Sequence, residues 1–240
     1  MYFTTLTAII IIIFLIHSVI PTLYNKYINS NIIKCTNKDN EIMLTFDDGP
    51  DERYTNNLLD VLKENQITAT FFVVAENAKN NPDIIHRMHK EGHTIALHSL
   101  EHKNALFYSY KYTKKDFKKS IEIMRNFNYE INYYRPPWGH NNMFTNFFIK
   151  KYNLKMILWD VMAEDWSKYA TVDSISSKLL LRTNGNSIIC LHDAGENSGG
   201  AFNAPLKTIE ALSAVLPKLK LEGYKFITPE RLGQQLWKNL

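Results

Sequence analysis

The chain has 240 residues, which is enough for one large domain, and an apolar fraction of 45% allows a sizeable core. It carries 28 basic and 24 acidic residues, and because these are scattered, the net charge of +4 forms no basic stripe of the kind that binds nucleic acid. Two cysteines, Cys35 and Cys190, are too few for a disulfide framework or a cysteine zinc cluster.

Residues 3–23 form an apolar stretch with the run IIIIIFLI and no charged side chain apart from His17. This length suffices for one helix across a bilayer. Neither a basic leader nor a clear cleavage site precedes the domain, so we expect an uncleaved anchor over 1–24, with signal-peptide cleavage as the alternative. A polar linker over 25–40 should follow. We expect the helix to pack on nothing in the domain over 41–240, and residues 1–35 to be dispensable for its folding.

From residue 41 onward, short β-prone runs alternate with helical stretches. The predicted strands are 42–46, 70–74, 94–97, 132–134, 156–159, 187–191 and 225–227. The predicted helices, several of which begin at Pro or after Ser, Thr or Asp, are 55–65, 82–91, 113–127, 145–152, 172–181, 205–222 and 229–237. This alternation predicts a parallel sheet with crossover helices, and about seven repeats favour a closed or nearly closed β/α barrel.

Chemically reactive side chains fall just after the predicted strands, where the active sites of β/α barrels form. The first strand runs into TFDDGP and ends in Asp47 and Asp48. Side chains of neighbouring residues in a strand point in opposite directions. Beside a cation, one carboxylate could therefore ligate the ion while the other acts as a base on a bound water. The alternative is a solvated strand end with an Asp-Gly turn. The other strand ends carry His98 and His102, Arg135, Asp160 and Asp165, and His192 and Asp193.

His98 and His102 are spaced four residues apart in the segment HSLEH. If this segment is a helical turn, both imidazoles share one face and can bind a single metal ion. Two histidines and one aspartate make a set with open positions, which suits a catalytic Zn²⁺ or a similar ion. Surface helices carry such pairs by chance, so the upstream Asp pair is what favours the metal site.

Two further segments supply an arginine and a carboxylate–imidazole pair. In RPPWG, the prolines fix the backbone, and Arg135 either holds a catalytic carboxylate ionised or pairs structurally with any nearby acid. Trp138 presents either a face for stacking on a sugar or a core side chain. Asp165 and His192 allow an imidazole that is held protonated and donates to a leaving group; the alternative is a buried structural histidine.

In this order, the segments TFDDGP, HSLEH, RPPWG, DW and LHD resemble those of the polysaccharide deacetylases, carbohydrate esterase family four, which share a domain with the nodulation chitooligosaccharide deacetylase. The resemblance covers about residues 41–236. It implies a distorted (β/α)7 barrel, preceded here by one N-terminal transmembrane helix. It also implies that Asp48, His98 and His102 ligate a divalent metal, with Zn²⁺ expected and Co²⁺ as the alternative.

The resemblance further implies a hydrolase that removes N-acetyl groups from amino sugars in a glycan, such as peptidoglycan or chitooligosaccharide, and releases acetate. In this resemblance Asp47 is the general base and Arg135 orients it. The backbone N–H of Trp138 binds the oxyanion. His192 is the general acid, and Asp165 tunes its pKa. One departure from the family pattern is Met162, where many members have Asp, although Asp165-Trp166 is retained.

Two other functions stay open: an O-acetyl polysaccharide esterase with the same site, and a catalytically silent wall-binding protein. Silent members usually lose the base, a metal ligand or the acid, and all of these are present. A glycan substrate places the domain outside the cytoplasm. We also expect a monomeric, single-pass membrane protein. Lys26, Lys34 and Lys38 follow the span and predict the opposite orientation; we give the substrate greater weight.

Overall fold

The computed structural model describes the backbone of residues 2–236 and the side chains of residues 4–232, so residue 237 of the last predicted helix lies outside it. The strands are β1 (Glu41–Asp47), β2 (Thr70–Val74), β3 (Thr94–Ser99), β4 (Tyr133–Tyr134), β5 (Lys155–Met156), β6 (Val161–Met162), β7 (Ile188–His192) and β8 (Lys225–Phe226). The helices are α1 (Tyr2–Phe14), α2 (Ile20–Leu23), α3 (Thr55–Glu64), α4 (Ala75–Asn80), α5 (Pro82–Lys90), α6 (Tyr110–Arg125), α7 (Thr145–Lys151), α8 (Val172–Arg182), α9 (Ala204–Leu221) and α10 (Pro229–Leu236).

The strands of the described residues form a curled parallel sheet in the order β5-β4-β3-β2-β1-β7-β6, with β8 paired to the first two residues of β1. β5 and β6 are two halves of one segment, residues 155–162, which pairs first with β4 and then with β7. The segment thereby joins the two ends of the sheet. Because β5 and β6 count as one strand, the eight short strands occupy seven positions. The expected fold class, a distorted (β/α)7 barrel, is confirmed.

Alternating side chains of β1 divide the core into two layers, because successive side chains of a strand point to opposite faces. Leu44 and Phe46 pack in the outer layer with residues of the helices, whereas Met43 packs in a separate inner cluster. Thr45 and Asp47 continue the inner face of the strand. The polar side chains of the site are therefore presented from inside the barrel.

The predicted helices are all present, and their described ends differ from the prediction by at most three residues. The sequence gives no sign of α4, because this short polar helix begins directly at the end of β2 with no helix-start residue before it. The predicted strand at 156–159 is replaced by β5 and β6, since the backbone bends between its pairing with β4 and its pairing with β7.

The N-terminal region is a single helical rod in which π-helical turns, Leu15–Val19 and Tyr24–Ile28, follow α1 and α2. Within the described part of the chain, Thr4–Ile28 is the one helix that has the length and apolar composition needed to cross a membrane. The rod extends beyond the predicted boundary at residue 24, so the first residues expected to form a linker are helical.

The expectation that this helix packs on nothing in the domain is wrong for its second half. The Ser18 hydroxyl donates to the carbonyl of Leu106 at 2.6 Å, and the carbonyl of His17 accepts from the backbone N–H of Met143 at 2.7 Å. Ser18, Thr22 and Asn25 stand at i, i+4 and i+7, which places them on one helix face. That polar face is the sequence signal for docking.

Residues expected to lie in the linker also pair with the barrel. The backbone N–H of Ile33 donates to the carbonyl of Met156 at 3.0 Å, and the carbonyl of Ile33 accepts from the N–H of Leu158 at 2.9 Å. The N–H of Thr36 donates to the carbonyl of Asn186 at 2.7 Å. Residue 33 therefore stands beside the bend where the barrel closes.

Candidate metal and catalytic site

A cleft of about 220 Å³ opens at the carboxyl ends of the strands. Arg135 and Asp165 are buried beside it. The other predicted site residues line it directly: Asp47, Asp48, His98, His102, Trp138 and His192. Strand ends far apart in the sequence thus supply one site, as the barrel architecture requires.

Asp48, His98 and His102 converge within this cleft. Asp48 Oδ1 lies 2.8 Å from His102 Nε2 and 3.4 Å from His98 Nε2. One potential ligand atom of each residue lies within 4.8 Å of the others. The structure therefore brings together the three residues that the sequence predicts as metal ligands.

The HSLEH segment is not the helical turn that its spacing suggests. His98 belongs to β3, and the chain turns sharply after it, with φ of 133° at Ser99 and 51° at His102. The backbone N–H of His102 donates to the Ser99 hydroxyl at 2.9 Å and so closes the turn. Pairing of β3 in the sheet keeps His98 extended, and the turn, rather than a helix face, brings the imidazoles to 5.1 Å between ring centroids.

Asp47 and Asp48 do not act as neighbours in a strand. Asp47 ends β1, whereas Asp48 adopts φ of 79° and turns into the same cleft. Its carbonyl accepts from the Asn77 amide at 2.8 Å, and the N–H of Gly49 donates to Asp193 Oδ1 at 3.1 Å. A Cβ on Gly49 would collide with the Asp193 carboxylate. A positive φ at a residue with a side chain is costly, and these tertiary contacts hold it in place.

The donor set fits a divalent cation. His98 Nδ1 donates to the carbonyl of Arg135 at 2.8 Å, which leaves Nε2 free to ligate. Asp48 Oδ1 is buried and makes no hydrogen bond of acceptable geometry within the described residues, although it faces both Nε2 atoms. Burial alone would raise the pKa of Asp48, but the facing imidazoles of His102 and His98 hold it well below its usual range. An ionised acceptor with two imidazole nitrogens is a typical zinc donor set.

Arg135 is fully buried, and its donors are satisfied by polar groups around it. Its Nη1 donates to Asp47 Oδ1 and to the Thr45 hydroxyl, both at 2.7 Å. Its Nε donates to the carbonyl of Ile157 at 3.2 Å, and Nη2 donates to the carbonyl of Leu158 at 3.3 Å. The ion pair fixes Oδ1 of Asp47, so Oδ2 is the oxygen left for chemistry.

Cys190 contacts the site, although the sequence pattern assigned it no role there. Its thiol donates a long hydrogen bond of 3.4 Å to Asp47 Oδ2. Burial raises the pKa of Cys190 well above its usual range, and the negative charge of Asp47 raises it further, so the group stays a thiol. The sequence feature that could have predicted this contact is its position two residues before His192, because side chains spaced by two share a face of the strand.

His192 is partly exposed to the cleft and pairs with the buried Asp165. Asp165 Oδ1 lies 2.9 Å from His192 Nδ1, while Asp165 Oδ2 accepts from the backbone N–H of His192 at 2.9 Å and from the Thr208 hydroxyl at 3.0 Å. Burial lowers the pKa of His192, but attraction by Asp165, and more weakly by Asp48 and Asp47, raises it to about 10. The imidazole is therefore charged at neutral pH, and Nε2 is its unoccupied nitrogen.

Trp138 and Met162 also line the cleft. The Trp138 ring lies edge-on to His102, with centroids 4.5 Å apart, and its backbone takes a φ of 54°. Asp160 does not supply a carboxylate to the cleft in place of Met162. Its carboxylate accepts from the N–H of Ile188 at 2.6 Å and from the Ser187 hydroxyl at 3.0 Å, at the beginning of β7.

Comparison with known proteins gives the family. Residues 34–157 match the model of the polysaccharide deacetylase family. A peptidoglycan-N-acetylglucosamine deacetylase of Bacillus cereus is 32% identical over 189 residues, which cover 78% of this chain and 66% of that protein. A chitooligosaccharide deacetylase of Rhizobium leguminosarum bv. trifolii is 30% identical over 192 residues, covering 78% of this chain and 88% of that protein.

The fold agrees with these relatives. The crystal structure of the Bc1960 peptidoglycan N-acetylglucosamine deacetylase, solved with a bound benzamide compound, superposes with a TM-score of 0.78 and 29% identity, covering 88% of this chain and 95% of that one. The curled parallel barrel is thus shared with a solved deacetylase. The chain belongs to the polysaccharide deacetylase family.

Proposed function

We propose that this chain is a metal-dependent hydrolase that removes N-acetyl groups from amino sugars in a glycan, peptidoglycan or chitooligosaccharide, and releases acetate. The observation that carries the proposal is the pairing of a candidate base and acid beside the metal ligands. Potential donor atoms of Asp47 and His192 lie within 4.8 Å of one another, in the cleft that Asp48, His98 and His102 line. The relatives named for deacetylation of such glycans support the same substrate class.

Asp48, His98 and His102 are the residues that would hold the ion, with Zn²⁺ expected and Co²⁺ as the alternative. When bound there, the ion would polarise the acetyl carbonyl and lower the pKa of a coordinated water.

The protein's own groups divide the proton transfers. Asp47 Oδ2 accepts a proton from the attacking water, because the hydrogen bond from Arg135 occupies Oδ1 and fixes the orientation of the carboxylate. The water oxygen bonds to the acetyl carbon, and the carbon–nitrogen bond breaks. His192 Nε2 gives its proton to the departing nitrogen, which would otherwise be a poor leaving group. In this proposal the backbone N–H of Trp138 donates to the developing oxyanion.

The raised pKa of His192 favours amide hydrolysis over O-acetyl ester hydrolysis. An amine must be protonated to leave, whereas an alkoxide needs less help, so a strongly held imidazolium matters more for an N-acetyl substrate. The presence of the base, the acid and all three ligands also argues against the silent wall-binding alternative.

The test is acetate release by the full chain in detergent from chitooligosaccharides, peptidoglycan and acetylated xylan, with and without Zn²⁺ or Co²⁺. We expect metal-dependent release from the first two and a large loss in Asp47→Asn. Release from acetylated xylan alone would make the chain an O-acetyl esterase. Release from none would make it silent.

We also propose that the N-terminal helix anchors the domain on the outer side of the cell membrane. An aromatic side chain is exposed where the helix leaves the domain, because Phe107 is 77% exposed and stacks on Phe14 of the helix. Aromatic side chains favour the membrane–water interface.

The exposed thiol of Cys35 tests this location. A membrane-impermeant maleimide added to intact cells should label Cys35, and Cys35→Ser should abolish the labelling because Cys190 is buried. Labelling only after lysis would place the domain in the cytoplasm, as the lysines after the span suggest.

A further inference from the structure

A second groove of about 510 Å³ adjoins the catalytic cleft and has the N-terminal segment as one wall. The two share Trp138, Trp159 and Met162 in their linings, so they lie side by side. The wall contributed by the N-terminal segment consists of Thr22, Leu23, Lys26, Tyr27 and Lys34.

This wall is held in place by paired polar contacts. The Thr22 hydroxyl donates to the carbonyl of Asn141 at 3.0 Å and accepts from the N–H of Asn141 at 2.9 Å. The side-chain amides of Asn25 and Asn146 exchange two hydrogen bonds of 3.0 Å, and Asn25 is fully buried. Buried polar groups are costly unless paired, so these contacts fix the end of the helix beside the groove.

The groove has a positive charge balance. Lys26 and Lys34 line it, and no carboxylate of the described residues forms an ion pair with either ammonium. The acid in its lining, Asp160, is already engaged by two hydrogen bonds at the beginning of β7. The positive charge of Lys26 also acts on His140, another lining residue of the groove. Burial lowers the pKa of His140, and the charge of Lys26 lowers it further.

Aromatic faces complete the groove. Tyr27 is 68% exposed and Trp138 is 46% exposed, so both offer ring surface to a ligand. Because Trp138 borders both clefts, a ligand lying against it in the groove would lie next to the cleft of Asp47 and His192.

We propose that this groove binds an acidic neighbour of the reacting sugar, and that Lys26 and Lys34 pair with a carboxylate carried on that neighbour. The inference rests on the proposed deacetylation and extends it to a substrate class: a glycan in which carboxylate-bearing sugars flank the N-acetylated one. The N-terminal helix then serves as part of the substrate site as well as an anchor.

The experiment compares Lys26→Gln, Lys34→Gln and the double variant with Lys225→Gln, a matched change of an exposed lysine at the opposite end of β1. The full chain in detergent acts on a neutral chitooligosaccharide and on a peptidoglycan oligomer whose muramic acid residues carry carboxylates. In the double variant, we expect the ratio of kcat/KM for the acidic over the neutral glycan to fall about fivefold, through KM, as two partly exposed ion pairs would give. Salt should lower the same ratio in the unaltered chain.

Equal losses on both glycans, or an unchanged ratio, would overturn the proposal. Binding to Asp47→Asn, followed by tryptophan fluorescence, gives a second readout that needs no turnover. If neither glycan is deacetylated but the acidic oligomer binds more tightly than the neutral one and loses this advantage in the double lysine variant, the groove assignment stands and the proposed reaction fails. Equal binding of the two oligomers would refute the groove.

Discussion

At the scale of single residues, the site depends on buried charges whose partners are fixed. The guanidinium of Arg135 would be costly to bury alone, but the carboxylate of Asp47, the hydroxyl of Thr45 and two carbonyls satisfy it. The same contacts leave one defined oxygen of Asp47 facing the cleft. Residue geometry thus separates the candidate base from the candidate acid, His192, whose Nδ1 is occupied by Asp165.

Replacing Asp165 by Asn should shift the pH dependence of activity. Asp165 raises the pKa of His192, so its loss lowers that pKa, and the protonated acid disappears at a lower pH. The alkaline limb of kcat/KM for an N-acetyl glycan should move down by about one pH unit or more. Thr208→Val, which removes a hydrogen bond to Asp165 but keeps its charge, should leave the limb in place. An unmoved limb in Asp165→Asn would mean that His192 is not the acid.

His93 should make the fold sensitive to acid. Burial lowers its pKa from 6.5 to about 4, against a smaller raising effect of Glu91, and its Nδ1 accepts from the N–H of Ala69 at 3.1 Å. Between those two pH values the unfolded chain binds more protons, so the free energy of unfolding should fall by about 3 kcal/mol as the pH drops through that window. Urea unfolding at several pH values measures this.

His93→Asn is the matched variant, because its side-chain oxygen can still accept from Ala69 while carrying no titratable group. Its free energy of unfolding should vary less between pH 6.5 and 4 than that of the unaltered chain. The same acid dependence in both proteins would show that other groups cause it.

At the scale of elements, the barrel is closed by short segments that sequence periodicity describes poorly. β5 and β6 have two residues each, and Ile33 pairs beside the bend between them. Such pieces gain their stability from neighbours rather than from local propensity. Residues before the first long strand are consequently part of the folded domain.

Two deletions distinguish the contribution of the helix to stability from that of the segment that pairs through Ile33. Removing residues 1–28 takes away the helical rod but keeps Ile33, whereas removing 1–35 also loses its two backbone hydrogen bonds and the buried Ile32. We expect the longer deletion to be less stable than the shorter one by about 2–4 kcal/mol. Chemical denaturation of both proteins measures the difference. Equal stabilities would restore the sequence-based expectation that residues 1–35 are dispensable.

At the scale of the whole molecule, the candidate metal site links distant parts of the barrel. Asp48 follows β1, His98 lies near the end of β3, and His102 lies in the turn after β3. Between these strands lies β2, so an ion bound by all three residues would tie three neighbouring positions of the barrel together.

Metal binding should therefore stabilise the fold. An ion at about 100 times its Kd contributes about 2.7 kcal/mol, which corresponds to a rise in Tm of about 5–10 °C for a domain of this size. Thermal unfolding with Zn²⁺ and after chelation measures the effect. His102→Ala should lose it, whereas His86→Ala, an exposed histidine on α5, should keep it. An equal rise in both variants would show that the ion binds elsewhere.

Sequence alone determined the repeating strand–helix order, the seven positions of the barrel, and the residues that the site brings together. These follow from hydrophobic periodicity and from motifs at strand ends, which are local properties of the chain. Tertiary structure alone decided the positive φ at Asp48, the turn that replaces a helix at HSLEH, and the docking of the N-terminal helix. Each depends on partners distant in the sequence, such as Asp193 at Gly49 and Asn146 at Asn25, and local patterns do not encode such contacts.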